Sequence, residues 1–335
     1  MAGGLGRCFI LKGHMRAAFR RLPLLILPVA LWAASGCSMA TKMVANTLAK
    51  SGDNYTSDDD PELVRRAMPF GLKTFEGFLS SVPTHGPLLL ATCNGFTGYS
   101  YLFVENDAEI LGEAHHDESK ALRDEALILY VRARDYCLRA LDVRFKGMSA
   151  KLYKDPATAF DGVKVKKEDV PLLYWTAAAW GSAINLGLDR VDLIGDFPAV
   201  RVLADTAMKI DPEWNNGSLY ELMMTLDSLP EAMGGAPSAK REAVLKGHFD
   251  NAIRVQKGNS PGPYISMAAH FDISEKDPSE YPKLREQYTK LLEQALAIDP
   301  NKDKSNRLLT ILAQRRAKAM LEQIDTKIPR RPAPR

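Results

Sequence analysis

One short pattern, repeated along the chain, limits the possible folds more than composition does. Ala204-Asp-Thr-Ala207-Met-Lys-Ile210-Asp211-Pro212 matches Leu292-Glu-Gln-Ala295-Leu-Ala-Ile298-Asp299-Pro300. Phe249-Asp-Asn-Ala252-Ile-Arg-Val255 is a third copy, and Tyr136-Cys-Leu-Arg139-Ala140-Leu141-Asp-Val143 a looser fourth. Ala207, Ala252 and Ala295 stand 45 and 43 residues apart. A small Ala lets two helices cross closely, and a Pro forces the residue before it out of the helical region. Each copy therefore reads as the end of a helical hairpin that must stack on its neighbours to bury its apolar face.

The rest of the pattern agrees. Leu284, Tyr288, Leu291, Ala295 and Ile298 form one helical stripe, and Leu309, Ala313, Ala317, Met320 and Ile324 another. Strand-like alternation is scarce: Val163-Lys164-Val165-Lys166 is the one instance, and it falls in a loop. The prediction is an all-α, tetratricopeptide-like helical-hairpin solenoid of about four hairpins, with an N-terminal helix and a C-terminal capping helix. The period exceeds the roughly 34 residues usual for such repeats, so loops or helices must be longer. First helices are expected over about 87–104, 170–187, 215–229 and 261–271. Second helices are expected over about 118–146, 198–210, 239–256 and 281–298, with the cap over about 304–324. Gly234-Gly235-Ala236-Pro237 and Gly258-Asn259-Ser260-Pro261-Gly262-Pro263 read as turns between them.

The first forty residues carry a different signal. Arg16, Arg20 and Arg21 precede the apolar run Leu22 to Ala34, which is shorter than the roughly 20 residues a spanning helix needs. Ala34-Ser35-Gly36 then leads into Cys37, as in a secretory signal cut at small residues before a cysteine that receives the lipid. The expected organisation is a lipoprotein signal peptide over 1–36, a lipidated Cys37 and flexible tether over 37–60, a helical domain over 61–325 and a basic disordered tail over 326–335. Asp60, before Pro61 and Glu62, reads as the N-cap of the first domain helix.

Removing the signal changes the charge argument. Residues 1–36 hold five basic and no acidic side chains, so 44 basic and 41 acidic residues become 39 and 41, a net of about −2. The basic footprint of a nucleic-acid binder is then missing. Cys93 and Cys137 remain; export would let them pair, but the preferred reading is two free cysteines serving as small buried apolar residues.

No catalytic, cofactor or metal motif stands out. The chain lacks a P-loop, a G-x-G-x-x-G turn after a strand, a G-x-S-x-G elbow and an H-E-x-x-H helix. His115-His116-Asp117-Glu118 is polar but sequential, and sequential residues on a loop rarely converge on one metal. Asp299, Asn301 and Asp303 imitate a calcium loop that then fails at Lys304 and Thr310. The reading is a non-enzyme without cofactor.

More suggestive are polar and aromatic residues on the proposed first helices, which line the concave surface of a hairpin solenoid. Asn94, Tyr99, Trp180, Asn185, Glu221 and Tyr264, with Tyr174, Trp175, Tyr220 and Ser266, are the candidates for a groove or channel. Trp180 and Tyr264 would supply apolar wall, and Asn94, Asn185 and Glu221 polar contacts to a head group. Taken singly, each aromatic is more simply a core residue.

Longer motifs resemble one family. Tyr55-Thr-Ser-Asp58-Asp59-Asp60-Pro61-Glu62-Leu63-Val64-Arg65 is followed by Ala67-Met-Pro69-Phe70-Gly71-Leu72-Lys73. Leu88-Leu-Leu-Ala91, Gly95-Phe96-Thr97-Gly98-Tyr99-Ser-Tyr101, Asp211-Pro212-Glu213-Trp214-Asn215 and Pro263-Tyr264-Ile-Ser266 come next. Asn306-Arg307-Leu308 and Leu312-Ala313-Gln314-Arg315-Arg316-Ala317 complete the set. These stretches resemble the TatT family, the T-components of tripartite ATP-independent periplasmic (TRAP) transporters. The resemblance implies a periplasmic lipoprotein of tetratricopeptide-like hairpins, trimeric, with a channel through each protomer. It further implies a TRAP substrate-binding protein as partner and a hydrophobic or lipid-like ligand. Cys37 is the one functional position that transfers, and Ser38 after it favours the outer membrane. The competing reading is a tetratricopeptide scaffold lipoprotein in envelope assembly with no small-molecule ligand.

Overall fold

The computed structural model describes residues 43–49, 53–273 and 276–330, and Ala45–Arg335 forms one compact unit. Cys37 and the signal segment lie outside the described residues. Among the described residues there is helix and no strand.

Helix α1 spans Pro61–Ser81. The Asp60 carboxylate accepts the Glu62 and Leu63 amides, both at 3.0 Å, and Pro61 needs no donor at that position. The first hairpin follows: α2 (Gly86–Tyr99) continues through a π-helical segment (Ser100–Glu105) into α3 (Asn106–Leu111), and α4 (His116–Arg144) returns. The second is α5 (Val170–Leu186) with α6 (Phe197–Ile210), the third α7 (Trp214–Ser228) with α8 (Arg241–Gln256). The fourth pairs α9 (Gly262–Ala269) with α10 (Tyr281–Leu296), and α11 (Arg307–Glu322) caps it. The hairpin architecture read from the repeats is the one observed.

The repeat alanines sit where expected. Ala207, Ala252 and Ala295 are each fully buried at helix crossings. The main core runs through the first two hairpins and onto α7 around Trp180, Leu173, Leu203 and Leu219, and a second cluster joins α9, α10 and α11 around Tyr288, Leu292 and Ala317. Cys93 on α2 and Cys137 on α4 form a disulfide with their Cα atoms 5.3 Å apart. This corrects the free-cysteine reading: close packing of two helices brought together residues whose proximity spacing alone did not reveal.

Two boundaries also move. Residues 53–60, expected within the tether, belong to the folded body: Asp53–Thr56 is a short helix, and Asp59 pairs with Arg307 at 2.8 Å. At the other end, Ile328 is fully buried and Lys327 donates to the Ala269 carbonyl, so the expected tail begins later.

The solenoid does not stay open. Helix α11 returns to the N-terminal elements, where Arg315 meets Glu62 at 3.0 Å and Gln323 donates to the Glu109 and Ile110 carbonyls. Val64, Phe103, Leu308 and Leu312 form a small apolar cluster at this seam. Gly112, at φ 59°, fits there because a Cβ would lie 2.6 Å from the Gln323 side chain.

Candidate functional site

Helices α2 and α5 are apolar around most of their circumference, as a helix surrounded by protein must be. Each nevertheless keeps a narrow accessible stripe at helical spacing. On α2 and the π segment it is Asn94, Gly98, Tyr101 and Glu105; on α5 it is Tyr174, Ala178, Ser182 and Asn185. Helix α7 contributes Ser218, Glu221, Thr225 and Ser228, and the α9 region Gly262, Ser266 and His270. All four stripes lie on first helices.

Contacts join them. Ser218 sits beside the Tyr174 hydroxyl, Ser182 beside Tyr130, and Ser266 beside Glu221. His270 Nε2 lies 3.3 Å from the Thr225 hydroxyl. Tyr101 marks the middle. It is 45% exposed, yet burial comes first among the causes that push its hydroxyl up, with Arg316, Glu109, Glu221 and Glu105 all within electrostatic reach. A side chain that is accessible and also densely neighboured by charged groups from several helices is placed as the lining of a concave surface.

Two backbone irregularities shape this space. The π segment, in which the Asn106 amide reaches the Tyr101 carbonyl, widens one turn at Tyr101 and Glu105; such bulges recur at functional sites. Asn215, Asn216 and Gly217 are all left-handed, at φ 48°, 55° and 78°. Asn and Gly tolerate that region best, and the turn sets Ser218 toward Tyr174 before right-handed helix resumes.

The electrostatics of the interior are uneven. Arg316 donates to the Tyr101 oxygen at 2.9 Å and to Glu109 at 2.8 Å. Glu105 accepts from the Tyr130 hydroxyl, and burial, then the nearby Glu109, raise its carboxyl to about 7. Burial raises Glu221 to about 7 as well, against the opposing hydrogen bonds of Gln256 and Ser266. His270 is pushed down to about 4 by burial, then by Arg316 and Lys327. Perturbed groups gathered in one enclosed place are a physical pointer to function.

The sequence candidates fall in different places. Asn94 and Asn185 are exposed members of the stripes, Glu221 is at the centre of its stripe, and half-buried Tyr264 packs edge-on against Phe249 at 5.7 Å. Tyr99 is half-buried near the seam, 5.8 Å from the Phe103 ring. Trp180 stands in the core: fully buried, its indole N–H reaches Asp196 at 3.3 Å and its ring packs on Tyr153. Tyr101, Glu105, Tyr130 and Arg316 were not singled out from the sequence. Their signal was present in the Tyr101 and Arg315-Arg316 motifs, but the π turn and the ring closure that unite them leave no periodic trace. His115 and His116 make only exposed pairs with Glu118 and Glu113. An open depression of about 580 Å³ between Arg285, Glu293 and Leu321 shares no residue with the stripes.

Residues 57–326 match the family described as TRAP transporter T-component. The chain belongs to the TRAP transporter T-component family. A relative of this T-component, an uncharacterized protein of Treponema pallidum (strain Nichols), is 26% identical over 267 residues, covering 79% of each chain. Membership gives the chain an accessory role with a TRAP transporter. No helix among the described residues is long and apolar enough to cross a membrane.

Proposed function

We propose that the chain is a periplasmic lipoprotein that docks a TRAP substrate-binding protein and takes a hydrophobic ligand into its interior. The observation that carries this reading is the convergence of the four accessible stripes on one enclosed space. Asn94, Asn185 and Glu221 are the polar contacts in this proposal, Tyr99 and Tyr264 its aromatic borders, and Trp180 supports the wall from the core behind it. The role is carriage and docking rather than catalysis. Cleavage before Cys37, acylation of that thiol, a tether reaching the folded body and an outer-membrane location complete the proposal. A trimer is its proposed assembly.

Mass spectrometry of the protein purified natively from its own membrane tests it. The expected result is an N-terminal diacylglyceryl-cysteine at Cys37, a co-purifying substrate-binding protein and a retained apolar ligand. A protein carrying the lipid anchor but neither companion would favour a bare envelope scaffold. Cys37→Ser should abolish partition into detergent, because the roughly 0.8 kcal/mol per buried methylene of the acyl chains is lost.

A further inference from the structure

Three of the interior's charged groups already have their partners. Arg316 is held by Glu109 and Tyr101, and Glu105 is held by Tyr130 with Arg316 and Arg123 in reach. Glu221 differs. It is enclosed, and the groups acting on it are Gln256 and Ser266, both neutral. Among the described residues no Lys, Arg or His forms an ion pair with it. A carboxylate taken out of water without a compensating cation is costly, and proteins keep one chiefly where something else supplies the charge.

The surroundings specify what is missing. Gln256 donates its Nε2 to Glu221 at 2.7 Å, which leaves the Gln256 carbonyl oxygen buried without a partner on a side chain only 9% exposed. Both oxygen-bearing groups at this corner therefore have unused acceptor capacity. Gly262 brings the N-terminal turn of α9 close: a Cβ there would lie 2.5 Å from Glu221 Oε2, so only glycine leaves room for the carboxylate. The Tyr174 ring adjoins, 4.8 Å from Trp214 and 5.0 Å from Trp175, and the Tyr174 and Tyr101 hydroxyls both sense the Glu221 charge. A carboxylate, an unpaired carbonyl and aromatic faces together are the chemistry that receives an organic cation.

We propose that Glu221 and the Gln256 carbonyl form a head-group subsite for a primary ammonium carried on an apolar chain. The proposal rests on the ligand-holding reading above and adds the class of head group. An ammonium supplies the absent charge and donates to both oxygens at once, while its chain runs along the apolar parts of α5 and α7. A carboxylate head at the same corner would meet repulsion and no donor. Burial, against the opposing hydrogen bonds of Gln256 and Ser266, holds the Glu221 carboxyl at about 7, and a bound ammonium would draw it back down, so binding takes up no proton at alkaline pH.

Calorimetry on the full chain with octylammonium, octanol and octanoate tests this directly. At about pH 8, octylammonium is expected to bind at least about tenfold more tightly than octanoate, the difference one charge-assisted hydrogen bond supplies. Its affinity should fall between about pH 8 and 6 as Glu221 protonates, while that of octanol stays level. Glu221→Gln should erase the preference for octylammonium over octanol and octanoate. Octanoate binding as tightly as octylammonium would overturn the head-group assignment and leave the ligand-holding reading standing. A response to sodium chloride alone, with no gain from the octyl chain, would overturn both the head-group assignment and the apolar-ligand reading. No binding of any of the three would sink both. The wild-type comparison and its pH series decide the matter even if the variant folds poorly.

Discussion

Arg316 and Tyr101 stand 215 positions apart in sequence, and the guanidinium donates to the phenol oxygen at 2.9 Å. That bond joins the last long helix to the π turn of the first hairpin and makes a closed interior out of a hairpin array. Arg316→Gln should therefore leave Glu109 without its cation and weaken the fold by roughly 2–3 kcal/mol. Arg315→Gln removes only a pair with solvent-exposed Glu62 and should cost under about 1 kcal/mol. Urea midpoints of the two variants make the comparison; equal losses would mean that the seam is not organised around Arg316.

The disulfide crosslinks α2 to α4 at a sequence separation of 44. Closing a loop of that size in the unfolded state is worth about 4 kcal/mol. Reduction, or the double substitution Cys93→Ala with Cys137→Ala, should lower the melting temperature by many degrees. A melt indifferent to reductant would show that the bond is not formed in solution.

The crossing alanines have no spare room. Ala207→Leu and Ala295→Leu add bulk at fully buried contacts and should each cost about 1–3 kcal/mol by overpacking. Thermal denaturation reports this, and two unchanged melting temperatures would contradict the observed packing.

Trp180 and Tyr264 should respond differently to truncation. Trp180→Ala empties a fully buried site and leaves Asp196 without its donor, a loss of about 3–5 kcal/mol. Tyr264 is half-buried, so Tyr264→Ala should cost markedly less, roughly 1–2 kcal/mol, while reducing retained ligand. Stability and bound apolar ligand measured in parallel separate the two; equal stability losses would make Tyr264 ordinary core.

Glu221 carries a pH signature of known sign. An unfolded Glu titrates near 4.3, whereas burial holds the folded carboxyl at about 7. Over that interval the folded chain keeps a proton that the unfolded chain releases. The contribution is thus full below about pH 4 and is lost as pH rises through 7. Glu221→Gln removes the loss and should gain on wild type between about pH 5 and 8, by on the order of 2–3 kcal/mol. Urea unfolding at both pH values checks it, and a pH-independent difference would rule out an ionising, desolvated Glu221.

Helix positions and hairpin order were legible because they follow from local rules. Asp60 and Pro61 start α1, Pro212 follows α6, and the buried alanines recur with the repeat. Glu221 was legible as a polar residue on an inner helix face. Tyr101, Glu105 and Arg316 were not, because their meeting depends on closure of the ring. Cys93 and Cys137 show the same limit: the crosslink requires a distance across two helices, and spacing reports only distance along one. Trp180 looked like wall because an aromatic on an inner helix satisfies either role, and only its complete burial places it in the core.

An open row of hairpins is modular: a unit can be gained or lost at either end, and each unit answers mainly to its neighbours. The joining of α11 to the segment before α1 removes that freedom. With Arg307 on Asp59 and Gln323 on the Glu109 and Ile110 carbonyls, the number of hairpins is set by the circumference that lets the ends meet. Duplicating a repeat would pull the seam apart, and deleting one would crowd the interior. A closed array of this kind can change in size without parting its seam only in the loops.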